Sequence, residues 1–421
     1  MRHRPILAIA MRHLSPLLLA ALTIGSAAAQ TSQSAEQQGA ALAAIGNCAG
    51  CHTLHERRPF AGGVPLHTPF SIIYGSNITP DQATGIGSWS KADFIRAMRD
   101  GIAKDGTHLY PAFPYDHFTR SSDADLDLLY TFVMSREPIA STPPKDELSF
   151  PYDQRGLMGF WNALYLDRDA RLDPSPDHPV QRGAYLAQSL GHCDSCHSPR
   201  NGLGAEIKAR MFDGGTVDGW YAPALNRNSP SPSPWTVEQL SEYLRFGIAD
   251  GHAMAGGPMH DVVMSLAHAN KDDVNAIASF VVSMMSQASS TTSAARSANL
   301  QRSQVPLAAL DDNSSPLLAR GALVYRSSCA SCHDDGRGPS SDSALQMPLA
   351  IAVYEPDPHS LLHIIREGIW PIDGGARRMM PAFDASLSDE DLNAVAAYLR
   401  KDAAGLAPWP DLERAVADTR E

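Results

Sequence analysis

The sequence predicts a mainly α-helical chain of three tandem small bundles, and three observations carry that expectation. The pattern C-x-x-C-H occurs three times, at Cys48–His52, Cys193–His197 and Cys329–His333. A helix-like segment precedes each occurrence, and an acidic-capped amphipathic segment closes the stretch behind it. Finally, 421 residues suffice for several separate cores of ordinary domain size.

Composition narrows what such a chain does. Lys+Arg number 34 against Asp+Glu 46, a net charge of −12, which argues against nucleic acid as a partner because phosphate binding needs a basic face. At the N-terminus Arg2, Arg4 and Arg12 precede an apolar run from Leu14 to Ala29 that ends in Ala27-Ala28-Ala29. A basic start, a short apolar middle and small terminal residues make residues 1–29 a secretory signal peptide. The run is shorter than the roughly 20 residues of a membrane span. The mature chain is thus expected to be exported, soluble or attached peripherally to a membrane.

Six cysteines in an exported protein ordinarily read as three disulfides. Here all six fall inside the C-x-x-C-H patterns and none is left over. At this chain's Cys and His frequencies chance gives roughly 0.003 such patterns, and C-x-x-C-H is the attachment signature of c-type haem. The spacing suits that chemistry. Residues i, i+3 and i+4 share one face of a helix, so two thiols reach the two vinyl groups of one porphyrin while the imidazole reaches its iron. Cys48, Cys51, Cys193, Cys196, Cys329 and Cys332 are therefore expected to hold three covalently bound haem c groups, with His52, His197 and His333 on iron. Zinc fits less well, since the pairs lie 145 and 136 residues apart, too far for a zinc ribbon.

The elements of each repeat follow in order. Helices are expected at Glu36–Gly46, Gln181–Gly191 and Leu318–Ser327, each with an early glycine (Gly39, Gly183, Gly321) where a second helix can cross closely. A further helix ends in Gly-Ile each time, at Gly101-Ile102, Gly247-Ile248 and Gly368-Ile369. The closing helices are expected at Asp123–Met134, Asp272–Met284 and Ser388–Arg400. Eleven residues beyond the isoleucine lie Met259, in Gly257-Pro258-Met259, and Met380, in Met380-Pro381-Ala382-Phe383. A thioether is a soft ligand that suits haem iron opposite histidine, so both methionines are expected on iron. The same count in the first repeat lands on Phe113, which cannot bind metal. His117 is expected to supply the sixth ligand there, with His108 or an open iron as alternatives. Met98 reads as core, and Arg200 as a haem-propionate partner through charge-assisted bonds.

Domain 1 then covers 31–137, domain 2 covers 179–287 and domain 3 covers 315–402. Residues 138–178 form a Pro-rich linker with one apolar helix candidate, Gly156–Leu166. Residues 288–314 read as a flexible Ser/Ala-rich linker and 403–421 as a C-terminal tail.

Further motifs are Gly75-Ser76-Asn77-Ile78-Thr79-Pro80, Tyr110-Pro111-Ala112-Phe113-Pro114-Tyr115, Cys196-His197-Ser198-Pro199-Arg200-Asn201 and Trp220-Tyr221-Ala222-Pro223-Ala224-Leu225-Asn226. With these, essentially the whole mature chain resembles the three-haem cytochrome c subunits of bacterial membrane-associated dehydrogenases, which oxidise alcohols, aldehydes, sugars or N-heterocycles. The resemblance implies three class I-like cytochrome c domains, each a small helical bundle around one haem. It also implies a separate catalytic dehydrogenase subunit as electron donor and ubiquinone or another respiratory acceptor. The location it implies is periplasmic, at the outer face of the cytoplasmic membrane. Members paired with quinoprotein alcohol or flavin sugar dehydrogenases place Met where this chain has Phe113. The Phe version, followed by Asp116-His117-Phe118, is more similar to subunits accompanying molybdenum-containing aldehyde or N-heterocycle dehydrogenases.

An electron-transfer role without substrate chemistry agrees with the rest of the chain, which has no phosphate loop, nucleotide fingerprint or nucleophile constellation. A haem peroxidase or gas sensor with an open first haem is the competing reading, and Phe113 is its only motivation.

Overall fold

Each C-x-x-C-H pattern lies between two helices that cross at a glycine. The computed structural model describes residues 34–420 apart from 176, 288–289, 304–305, 310–314, 335–343 and 373–377. The expected signal peptide lies outside the described residues. The first repeat runs α1 (Ala35–Ile45), α2 (Cys48–His52), the hairpin β1–β2 (Pro65–Thr68 and Ser71–Tyr74), α3 (Lys91–Asp100), α4 (Tyr115–Phe118) and α5 (Asp123–Met134). After α6 (Met158–Tyr165) the pattern recurs as α7 (Pro179–Gln188), α8 (Cys193–His197), β3–β4 (Gly215–Val217 and Trp220–Ala222), α9 (Val237–Phe246), α10 (Pro258–Leu266) and α11 (Lys271–Met285). Beyond α12 (Ser290–Arg302) come α13 (Pro316–Ser328), α14 (Ala330–His333), α15 (His359–Glu367), α16 (Asp389–Tyr398) and α17 (Leu412–Asp418).

Local chemistry sets these boundaries. Ser90 with Asp93 and Thr236 with Gln239 form capping boxes that start α3 and α9. Gly101 and Gly247 end the same helices in the left-handed conformation, at φ 63° and 71°. Ser122, Asn270 and Ser388 cap α5, α11 and α16 through their side chains.

The helix pairs α1/α5, α7/α11 and α13/α16 are the principal crossings. A Cβ at Gly39 would sit 2.2 Å from Leu128 O, at Gly183 1.9 Å from Ala276 O, and at Gly321 2.2 Å from Ala394 O. The glycines are therefore contact points between backbones, as expected. Gly183→Ala should cost about 1–3 kcal/mol through overpacking, read as a lower thermal midpoint of the holoprotein. Gly202→Ala, with nothing within 4 Å of the new methyl, should leave that midpoint unmoved.

One core joins the first two repeats, with Leu42, Leu126, Leu186 and Ile277 among its buried members. The third repeat has its own, in which Leu362, Leu392 and Tyr398 pack with Trp409 and Leu412. The C-terminal tail is thus part of the third repeat's core. Among the described residues no helix is long and apolar enough to cross a membrane.

Two linker expectations change. The Ser/Ala-rich stretch contains α12, which is tied to both sides: Arg296 Nε donates to Ser231 O at 3.3 Å and Arg302 Nη2 to Ala404 O at 3.1 Å. Composition argued for a tether because Ser and Thr are poor helix formers, but tertiary hydrogen bonds override that preference. The apolar helix candidate becomes a 3₁₀ turn, Arg155–Leu157, followed by α6. Its Trp161 indole donates to Leu203 O at 3.1 Å and Asn162 accepts from Tyr115 at 2.6 Å, so it packs between the first and second repeats.

Candidate haem-binding sites

The three motif histidines share one arrangement. His52 Nδ1 lies 2.6 Å from Ser76 O, His197 Nδ1 lies 2.7 Å from Pro223 O, and His333 Nδ1 lies 2.6 Å from Leu345 O. A carbonyl only accepts, so Nδ1 carries the proton and Nε2 keeps its lone pair, the tautomer an iron ligand needs. Burial lowers the pKa of all three, with the carbonyl bond acting in the opposite direction. Ser76 and Pro223 lie inside motifs singled out from the sequence; Leu345 lies in no such motif, and nothing in the sequence marks its role.

Local backbone aims the cysteines. Asn47 and His192, at φ 46° and 33°, turn the chain sharply between the preceding helix and the first two motifs. The six cysteines are unpaired. Burial pushes the thiols of Cys48 and Cys193 up to about 12 and those of Cys196 and Cys329 to about 11.

The second and third motifs open onto one continuous, mostly apolar cavity of ≈520 Å³. Cys193, Cys196, His197 and Met259 line it together with Cys329, Cys332, His333 and Met380. Both expected methionines therefore line the same cavity as the second and third motif histidines. Met259 starts α10 behind Gly257, where Trp220 occupies the space of a Cβ. Met380 is held by paired backbone bonds to Ile369, each 2.9 Å. A pocket with soft thioether, imidazole and paired thiol donors, closed by apolar walls, fits haem c.

The first repeat differs. Leu109 N donates to Gly101 O at 2.7 Å just as Ala255 N donates to Gly247 O at 2.8 Å, which places Phe113 in the slot of Met259. Its ring packs on Phe118, centroids 5.2 Å apart. The expectation for His117 is corrected. Its Nε2 lies 2.7 Å from Glu206 Oε1 and its Nδ1 3.2 Å from Asp194 Oδ1, both carboxylates of the second repeat. Burial alone would lower its pKa, but Asp194, Glu206 and Asp116 outweigh that and raise it to about 10. Nε2 is hydrogen-bonded to Glu206 and Nδ1 faces Asp194 at ion-pair distance, so His117 serves here as the cation of a buried ion pair. No sequence signal pairs residues so far apart, and nothing in the pattern points to Glu206 or Asp194.

His108 is placed otherwise. It pairs with Ile102 in an antiparallel bridge, as Met380 does with Ile369, and its buried Nδ1 has no hydrogen-bond partner among the described residues. The Arg200 guanidinium donates to Ser195 O at 2.8 Å and Gly204 O at 2.5 Å, bracing the loop behind α8.

The first two motifs are neighbours. Ser265 Oγ of α10 donates to Ala44 O at 2.9 Å, and the Cys51 thiol is raised in part by Asp261 of the same helix. Helix α10 therefore links the first motif to the wall carrying Met259.

Repeated helix pairs around C-x-x-C-H turns, with carbonyl-bound histidines, define a c-type cytochrome. Residues 316–399, from α13 to the end of α16, match the family described as cytochrome c oxidase, cbb3-type, subunit III. The chain is 41% identical to a nicotinate dehydrogenase subunit of Pseudomonas putida over 91% of its own length, and spans 32% of that relative. It is 34% identical to the gluconate 2-dehydrogenase cytochrome c subunit of Pantoea cypripedii, covering 93% of this chain and 90% of the relative. Identity is also 34% to the cytochrome c subunit of the quinone alcohol dehydrogenase of Gluconobacter oxydans, covering 93% and 83%. The chain belongs to the electron-transferring cytochrome c subunits of dehydrogenase complexes, which carry covalent haem c.

Proposed function

We propose that this chain is a three-haem relay of three cytochrome c domains, at 31–137, 179–287 and 315–402. The observation that carries the reading is the threefold recurrence of a histidine whose Nδ1 is bound by a backbone carbonyl beside a thiol pair. In this reading the six cysteines attach the haems, His52, His197 and His333 bind iron, and Met259 and Met380 complete the second and third sites. The shared cavity brings those two sites together, and α10 joins the first to the second. The chain thus holds its redox centres in sequence order, the second in the middle.

His108 completes the first site in this reading. Its backbone bridges Ile102 of the Gly-Ile turn, and its buried Nδ1 has no hydrogen-bond partner among the described residues, which supports the reading.

The donor is a catalytic dehydrogenase subunit of the molybdenum type, acting on an aldehyde or an N-heterocycle. Phe113 with Asp116-His117-Phe118 supports this, as does the 41% identity to a protein named as part of a nicotinate dehydrogenase. The acceptor is ubiquinone or another respiratory carrier, and the subunit works in the periplasm, at the outer face of the cytoplasmic membrane, after loss of a signal peptide at 1–29. Intact-mass measurement of the native protein should give the polypeptide plus three haems, co-purifying with a larger catalytic subunit. A mass increment of one or two haems would overturn the count; isolation as a lone soluble carrier would overturn the partner.

A further inference from the structure

A carboxyl group lies buried on the wall of the cavity shared by the second and third motifs. Glu355 is 2% exposed and lines that cavity. Its Oε2 has no hydrogen-bond partner among the described residues. Its backbone carbonyl accepts from Trp409 Nε1 at 3.0 Å and from Arg400 Nη1 at 2.8 Å, which fixes the main chain at this position. The third repeat's own core thus pins an acid against the redox site.

The groups facing this carboxyl come from several elements. Ser360 of α15, whose hydroxyl donates to Tyr221 O at 3.1 Å, and Arg400, beyond α16, favour its charged form, while Asp357 of the same loop opposes it. Tyr243 of α9 and Tyr221 of β4 lie close enough for its charge to raise their own pKa values. Arg400 uses its guanidinium on the carbonyls of Val353 and Glu355, so it does not close an ion pair with the carboxylate. Burial dominates, and the pKa of Glu355 is pushed up to about 8.

We infer that Glu355 is a redox-linked proton site, binding one proton from solvent at its carboxylate as one electron arrives at the iron bound by His197 or His333. The inference rests on haems occupying the shared cavity. Each electron delivered by the dehydrogenase removes one unit of positive charge from the cavity, and an unpaired carboxylate on its wall then gains proton affinity. Linkage is reciprocal: a proton on Glu355 favours the reduced centre by the same factor. No other oxidant or reductant is needed, since the electron is the one the subunit already carries and the proton returns to solvent on reoxidation.

Spectroelectrochemical titration of the three-haem protein across neutral to mildly alkaline pH tests this. In the window where Glu355 titrates, one of the second or third haems should shift its oxidised-to-reduced ratio up to tenfold per pH unit, or 59 mV for one electron. The first haem should not follow it. Glu355→Gln, which keeps shape and removes the charge, should flatten that dependence with haem content intact. Glu355→Asp should keep it with the window displaced, and serves if the amide variant fails to fold. A flat wild-type profile, or the same slope in Glu355→Gln, overturns the inference, the latter by assigning the proton to a haem propionate. Absence of haem absorbance in the wild type would instead overturn the three-haem reading itself.

Discussion

His117→Ala should destabilise the junction of the first two repeats by about 3–5 kcal/mol, the usual result of removing one partner from a buried ion pair. The substitution leaves Asp194, 0% exposed, and Glu206 facing each other with Arg120 and Arg200 as the remaining cations. Asp194 lies inside the second C-x-x-C-H pattern, so the damage should register as lower thermal stability of both repeats together. The third repeat, with its separate core, should melt as before. A loss below about 1 kcal/mol in denaturant unfolding, the range of an exposed pair, would show that the buried pair contributes nothing special.

The pH dependence has a definite sign. The folded pKa of His117 stands near 10 against an ordinary value of 6.5, so the folded state holds its proton more tightly. Its contribution is fully present below about pH 6.5 and fades as pH rises through 10. Asp194, held below the ordinary carboxylate range by His117 and Arg120 despite its burial, contributes in the other window and is lost in acid. The gap between wild type and His117→Ala should therefore be widest near neutrality and close at both extremes. A gap that keeps growing above about pH 10 would contradict the buried imidazolium.

What is legible in the sequence follows from local rules. C-x-x-C-H fixes three residues on one turn, and the Gly-Ile helix ends and acidic caps mark boundaries within two or three residues. Gly39, Gly183 and Gly321 are readable because only a missing side chain allows such close crossings. Met259 and Met380 come from a constant offset between repeats. His117 misleads because its partners come from another repeat, 77 and 89 residues away, and imidazole serves iron and carboxylate equally well on paper. Glu355 lies in a loop with no pattern, and burial alone makes it unusual. Composition hides α12, whose Ser-rich sequence gains its helix from contacts on either side.

Removing the imidazole of His108 is expected to open the first iron, and carbon monoxide reports it directly. The reduced wild-type protein should bind none at neutral pH, because all three irons have six ligands in the proposed arrangement. His108→Ala should bind one carbon monoxide per chain, and His117→Ala none, since His117 is bound to carboxylates. Met259→Ala gives the comparison, opening the second site instead. Carbon monoxide binding by the wild type would mean that Phe113 leaves an open iron, favouring the sensor or peroxidase reading. Binding by His117→Ala would mean that the imidazole had left its carboxylates for iron. The same ligand difference orders the potentials. Methionine opposite histidine raises the reduction potential, so a first site with two histidines should be the lowest of the three. His108→Met should remove that difference by raising the first potential toward the two His/Met sites.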